Sequence, residues 1–158
     1  MNTVEVKAAH KPTEIINQIN ATHEIVPNSP GAVHWSIAGL TKNPEMLPAL
    51  AAGPYKDKAL VPPSPWLKAN PLLRPTLLLT NQGTQVFAKW LHQQPDQIAH
   101  WVLYTRYGDT WSSEILDKNI NEKELVRSKD GKSLYDVAVV AIDRLGNESP
   151  YLAKAVQK

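Results

Sequence analysis

Eleven of the chain's 13 prolines lie within residues 1–75, and only Pro95 and Pro150 come later. Proline fixes φ and removes a backbone donor, so a stretch this rich in it cannot carry long helices or central strands. A chain of 158 residues divided in this way reads as two regions built on different rules, 1–73 and 74–158.

The first region opens with a polar tail, 1–11, expected to fray. Thr13 is placed to cap a helix running to about His23, with Ile15, Ile16 and Ile19 forming its apolar stripe, until Pro27 and Pro30 end it. Residues 32–40, AVHWSIAGL, are mostly apolar at both phases, the pattern of a strand buried on both faces. Asn43-Pro44 is a helix start, with Asn as cap and Pro at the first helical position. The helix it opens, 45–52, is weakened by Pro48 and stopped by Gly53-Pro54. Pro62, Pro63, Pro65, Pro71 and Pro75 then enforce an extended connector. Its apolar residues Leu60, Val61, Trp66, Leu67 and Leu72 argue that it lies on a surface. Helix–strand–helix is a piece of α/β architecture, yet a single buried strand cannot satisfy its own backbone on either edge.

The second region has no helical periodicity of useful length. Strands are expected at 76–80, 85–92, 99–106, 110–116, 123–127, 133–143 and 151–156, separated by turn compositions such as Asn81-Gln82-Gly83 and Leu145-Gly146-Asn147. The longest continuous signal is YDVAVVAIDRLGNESP, residues 135–150: a β-branched run, a turn and the start of a closing strand. Seven short strands at this spacing predict an immunoglobulin-like β-sandwich. The inward set is expected to be Val86, Ala88 and Trp90, then Val102 and Tyr104, then Tyr135, Val137, Val139 and Ala141.

Trp90 late in the second strand, Tyr104 in the third and Tyr135 opening the sixth resemble the fibronectin type III module, as does the ending AIDRLGNESP. That resemblance covers about 74–157 and implies that Trp90 packs at the sandwich centre, with the strand tyrosines lining the core. PTEIINQINATHEI, PGAVHWSIAGLTKNP and LAAGPYKDKALVPPSPWL, followed by such a module, are similar to the C-terminal end of bacterial glycosyl-hydrolase-like family ten proteins. The likeness implies a cell-envelope protein with a (β/α)8 barrel and a fibronectin-like domain. Residues 32–37 would be the eighth barrel strand and 43–52 the eighth helix. Most of a roughly 250-residue barrel would then lie outside this chain, which would be a fragment, a truncated gene product or a trimmed piece.

The chemistry legible in the residues is sparse. A net charge of +2 with no Lys/Arg cluster gives no footprint for nucleic acid or an anionic membrane surface. There are no cysteines, hence no thiol nucleophile, disulfide or thiolate metal site. The N-terminal residues lack the apolar run of a secretory signal, and no stretch reaches the length of a membrane span. His10, His23, His34, His92 and His100 show no metal-ligand spacing, and neither a Gly-rich phosphate loop nor a nucleophile elbow occurs, so no cofactor is expected. Asp143, Asn147 and Glu148 suggest either a cation or a polar hairpin turn. Glycoside hydrolysis needs two carboxyl groups about 5–9.5 Å apart. The acids of the first region, Glu5, Glu14, Glu24, Glu45 and Asp57, fall in helices, loops or the tail, so no catalytic residue is assigned.

Two groups are candidates for substrate contact. His34, Trp35 and Ser36 would sit at the C-terminal end of a barrel strand, where substrate groups gather. The competing reading, favoured here, makes Trp35 core and His34 a satisfied buried histidine. Trp101, Tyr107 and Trp111, on or near the third strand, could present aromatic faces to a pyranose ring or lie buried under the barrel or connector.

The expectation is therefore a mainly β chain. A fibronectin type III-like sandwich at 74–158 follows a short α/β segment resembling the last unit of a (β/α)8 barrel. Its function would be non-catalytic support or interaction in a glycosyl-hydrolase-like envelope protein acting on or near a polysaccharide such as peptidoglycan. The implied partners are that polysaccharide or the missing barrel domain; nothing sets the oligomeric state. The alternatives are a freestanding glycan- or protein-binding module, and an enzyme completed by a separate partner chain. The last predicts that residues 32–37 are disordered or aggregation-prone alone.

Overall fold

In the computed structural model the described residues are 12–26, 31–64, 66–67 and 70–157. The expectations for the N-terminal tail, Pro27, Pro30 and Pro65 lie outside them. The chain divides into two compact units, Met1–Lys58 and Ala59–Lys158. The proline-rich connector, grouped by composition with the first region, thus belongs to the second unit.

In the first unit, helix α1 spans Pro12–Ile25, α2 Ile37–Thr41 and α3 Met46–Ala52. The expected stripe of α1 is buried: Ile15 and Ile19 meet Met46 and Leu50 of α3, with Ile16, Ala32 and Leu40 packed around them. Helix α3 begins one residue after Glu45 and not at Pro44. Asn43 still serves its entry, since its Oδ1 accepts the Glu45 N–H at 3.1 Å. Pro48 is tolerated because it falls in the first turn of α3, where no N–H has an intrahelical acceptor.

The strand expected at 32–40 is not formed. Residues 32–36 are extended only as far as Ser36, and Ile37–Thr41 then coils into α2. Nor is the segment buried on both faces, since Val33, Trp35 and Ile37 are 81%, 73% and 73% exposed. A run apolar at both phases needs flanking strands to bury it. Trp35 forms an isolated β-bridge, and no strand lies among the described residues of this unit; residues 37–41 take the local hydrogen bonds of a helical turn instead.

The second unit is a sandwich of antiparallel sheets with the strand arrangement of a fibronectin type III-like fold. Strands β1 (Thr76–Gln82), β2 (Gln85–Leu91) and β5 (Glu122–Val126) form one sheet in the order β1-β2-β5. The other contains β3 (His100–Tyr107), β4 (Thr110–Asp117), the two-residue β6 (Ser128–Lys129), β7 (Lys132–Ile142) and β8 (Leu152–Ala155). Its order is β4-β3-β7, with β6 and β8 pairing along different stretches of β7. Side chains from both sheets meet in one core: Leu77, Val86, Ala88, Trp90 and Leu125 face Trp101, Leu103, Leu134, Val137, Val139 and Ala141. Trp90 is fully buried at its centre, as the resemblance implied, with its ring 6.3 Å from that of Trp101.

Three inward assignments, on two strands, are corrected. In β3 it is Trp101 and Leu103 that enter the core, while Val102 and Tyr104 belong to a separate cluster on the outer face with Val140, Ile142, Ile115 and Leu60. Because Leu60 of the connector covers that outer face, β3 is apolar on both sides and its alternation carries no phase. Tyr135 is also turned out, 43% exposed. The register of β3 against β7 shifts between Arg106 and Tyr107, which pair with Asp136 and Leu134, so Tyr135 is the extra residue of a β-bulge.

The connector is fastened to the sandwich. The Ser64 N–H donates to the Leu145 carbonyl at 3.1 Å. Leu72 joins the core, and Leu60 lies on the outer-face cluster. Gly146, at φ +79°, lets the strap cross directly over the β7–β8 turn. A Cβ at this position would collide with the Val61 carbonyl oxygen and lie 3.0 Å from that of Pro62.

Candidate functional site

The first candidate group lies wholly in the first unit. His34 is half-buried, and its Nε2 is 2.7 Å from the Tyr55 hydroxyl, with the two rings edge-to-face. Burial lowers the His34 pKa and raises that of Tyr55, so both shifts favour the neutral form. Trp35 is exposed and not core, which overturns that half of the competing reading, and the Trp35–Ser36 peptide bond is cis. The unit thus brings a neutral His–Tyr pair next to an exposed indole.

The second group does not form one face. Trp101 is 4% exposed, its indole N–H donating to the Lys118 carbonyl, so it cannot offer a stacking surface. Tyr107 points the same way as Trp101, and its hydroxyl donates to the Val126 carbonyl at 2.8 Å, bracing β3 against β5 across the sandwich. Trp111 alone of the three faces outward, 49% exposed. For Trp101 and Tyr107 one residue separates the outward phase from the observed one, and that is enough to reverse a strand's faces.

Around Trp111 the outer face of the β4-β3-β7-β8 sheet holds a groove of about 560 Å³. Strand register explains its lining. Arg106 pairs with Trp111 on one side and Asp136 on the other; one step along, Tyr104 is opposite Ala138, itself opposite Ala153. Large side chains in the first row and alanines in the second leave a depression floored by Ala138, Ala153 and Val140. Glu148 and Tyr151 close the far side, placed there by Ser149, whose hydroxyl accepts the Ala141 N–H and whose own N–H donates to the Ala141 carbonyl.

Two of the charges in the groove, Arg106 and Asp136, are already committed to each other. Arg106 donates to Asp136 Oδ2 through Nε at 2.8 Å and through a second nitrogen, while its remaining terminal nitrogen donates to the Gly108 carbonyl at 3.2 Å. Its guanidinium carbon lies 5.8 Å from the Trp111 ring centre and 5.3 Å from that of Tyr135, so the cation is held between two aromatic rings. Desolvation, and then the Glu148 carboxylate, raise the Tyr104 pKa, keeping the phenol a hydrogen-bond donor. Asp143, the other cation candidate, accepts the Leu145 and Asn147 N–H groups at 2.8 Å and the Asn147 amide at 2.8 Å, which makes it a turn organiser. Among the described residues no cluster of His, Asp and Glu could hold a metal ion, and no helix is long and apolar enough to cross a membrane.

Sequence reading missed Tyr104, Arg106, Tyr151 and Glu148 as a set. Arg106 and Asp136 are separated by 30 positions, and their pairing follows only once the bulge at Tyr135 is counted. Tyr151 carried a signal, being a large aromatic beside Pro150 at a strand edge.

No family model and no curated protein matches this chain. Solved structures do. The spore cortex lytic enzyme SleM of Clostridium perfringens is 16% identical over 56% of this chain and 29% of its own length, with a TM-score of 0.44. Pectate lyase PelI of Erwinia chrysanthemi, in complex with tetragalacturonic acid, is 13% identical over 51% of this chain and 28% of its own, with a TM-score of 0.41. The fn3 domain of the human collagen alpha-1(XX) chain is 16% identical over 58% and 90%, with a TM-score of 0.44. The chain therefore spans less than a third of either enzyme.

Proposed function

We propose that this chain is a non-catalytic support and interaction portion of a glycosyl-hydrolase-like cell-envelope protein that acts on or near a polysaccharide such as peptidoglycan. The observation that supports this reading is the strap. Residues 60–64 lie on the outer sheet face and over Gly146, with a main-chain hydrogen bond to Leu145, so the sandwich grips the segment that leads into it. A module free to tumble on a tether needs no such fastening. A module that holds its position next to a preceding domain does. The polysaccharide itself comes from the resemblance of residues 13–73 to the family named above.

The second reading, a freestanding binding module, draws on the outer-face groove, where Trp111 and Tyr151 are both bare. The first is preferred because Trp101 and Tyr107, which would have made a broad platform, are structural. The test compares a longer product of the reading frame, extended upstream of Met1, with the same product ending at Lys58, and with the 158-residue chain alone. Sugar release from peptidoglycan is expected of the longer product only, with a lower melting temperature when residues 59–158 are removed. Cleavage by the 158-residue chain alone would overturn the reading.

A further inference from the structure

The groove beneath Trp111 has a chemistry more selective than an aromatic patch. Its one cation among the lining residues is already paired, since Arg106 donates through two nitrogens to Asp136 and through the third to the Gly108 carbonyl. The lining thus offers no unpaired positive charge to a carboxylate, sulfate or phosphate. The polar groups along the wall include the Tyr104 hydroxyl, kept protonated and able to donate, and the Glu148 carboxylate, whose oxygens only accept. Arg106 and Asp136 cancel, so Glu148 leaves the groove with a net negative charge. Apolar ring faces stand at the two sides, Trp111 on β4 and Tyr151 just before β8, 49% and 67% exposed. Three interstrand spacings separate β4 from β8, about 14 Å.

From this we infer that the groove is a binding site for an uncharged pyranose chain. Its C–H faces would rest on Trp111 and Tyr151 and its hydroxyls would bond to Tyr104 and Glu148. Aromatic faces against sugar C–H faces supply contact area at little entropic cost. A hydroxyl both gives and takes hydrogen bonds, which suits a donor beside an acceptor. A uronate or sulfated sugar meets Glu148 without a compensating cation, and such an unpaired like charge is a device of rejection. The volume is within the few hundred Å³ usual for small-ligand sites. This deepens the polysaccharide reading proposed above and rests on it.

The test uses the 158-residue chain and three hexasaccharide probes, neutral cellohexaose, anionic hexagalacturonate and cationic chitosan hexamer, with binding read by amide and indole NMR shifts. Cellohexaose should shift the Trp111 indole and residues 138 and 153. Trp111→Ala and Tyr151→Ala should each weaken it about tenfold, whereas Trp66→Ala, on the connector, should not. Glu148→Gln should admit hexagalacturonate. Preferential binding of the anionic or the cationic probe to the wild-type chain would overturn the inference. Cellohexaose shifts confined to residues outside the groove would overturn it too, while leaving the polysaccharide reading standing. No shift with any of the three, and no retention on insoluble peptidoglycan, would remove both.

Discussion

At Gly146 two demands fall on one residue. Its φ of +79° suits glycine, and the space where a Cβ would stand is taken by the backbone of Val61 and Pro62. The two can be told apart. Asparagine tolerates left-handed φ but carries a Cβ, so Gly146→Asn isolates the close approach. Both Gly146→Ala and Gly146→Asn should lower stability in urea denaturation, Ala by at least about 1–3 kcal/mol for the backbone alone. Faster exchange of the Ser64 amide should accompany the loss. Stability of the Asn variant equal to the parent would show that the crossing strap contributes nothing. His34 sets a different kind of test. Its pKa is lowered in the fold by burial, from an unfolded value near 6.5. An imidazole held neutral contributes stability that is fully present above the unfolded pKa and declines as pH falls below it. The helical circular dichroism, which among the described α-helices comes from residues 12–52, should therefore melt at lower temperature at about pH 5 than at about pH 8. His34→Gln should flatten that dependence.

Strand β7 shows where sequence legibility stopped at the level of elements. Its position, length and apolar character were readable, and so were the other long strands within a residue or two, because β-branched runs between Gly, Asn and Asp turns leave little choice. The phase of Tyr135 was not readable. Alternation backwards from Ala141 through Val139 and Val137 places Tyr135 inside, but the bulge inserts one residue and turns it onto Arg106. The phase of β3 failed for another reason: the covering residue, Leu60, lies 41 positions before Trp101 and belongs to a different element. The groove inherits both failures, since five of its members, Tyr104, Arg106, Asp136, Ala138 and Val140, come from those two strands. The bulge also makes deletions within β7 unequal. Removing Tyr135 lets Leu134 follow Asp136 in a regular ladder, with Leu134 still inward and Asp136 still on Arg106. Removing Ala138 reverses every face on one side of the cut. The first deletion should keep a cooperative unfolding transition and the second should abolish it.

Across the whole molecule, the compositional boundary after residue 73 and the physical one after Lys58 give different answers to where the sandwich begins. A polypeptide 59–158 should fold on its own. A polypeptide 74–158 lacks Leu60, Leu72 and the Ser64–Leu145 hydrogen bond. At about 1.5–3 kcal/mol for the buried Leu72, and less for the partly buried Leu60, it should be less stable by a few kcal/mol in the same denaturant series. Equal stability of the two would show that the strap is a passenger. The strap also decides how the module answers a pull. Tension entering at Ala59 reaches the single hydrogen bond at Ser64 and the crossing at Gly146 before it reaches any ladder of β1. Those contacts should part first, freeing some fifteen residues whose contour length of about 50 Å is the upper bound on the slack released, while the sheets stay intact. In a stretched single molecule this predicts a small, reversible early extension ahead of unfolding, so that the covering of the outer face acts as a shock absorber for the rest.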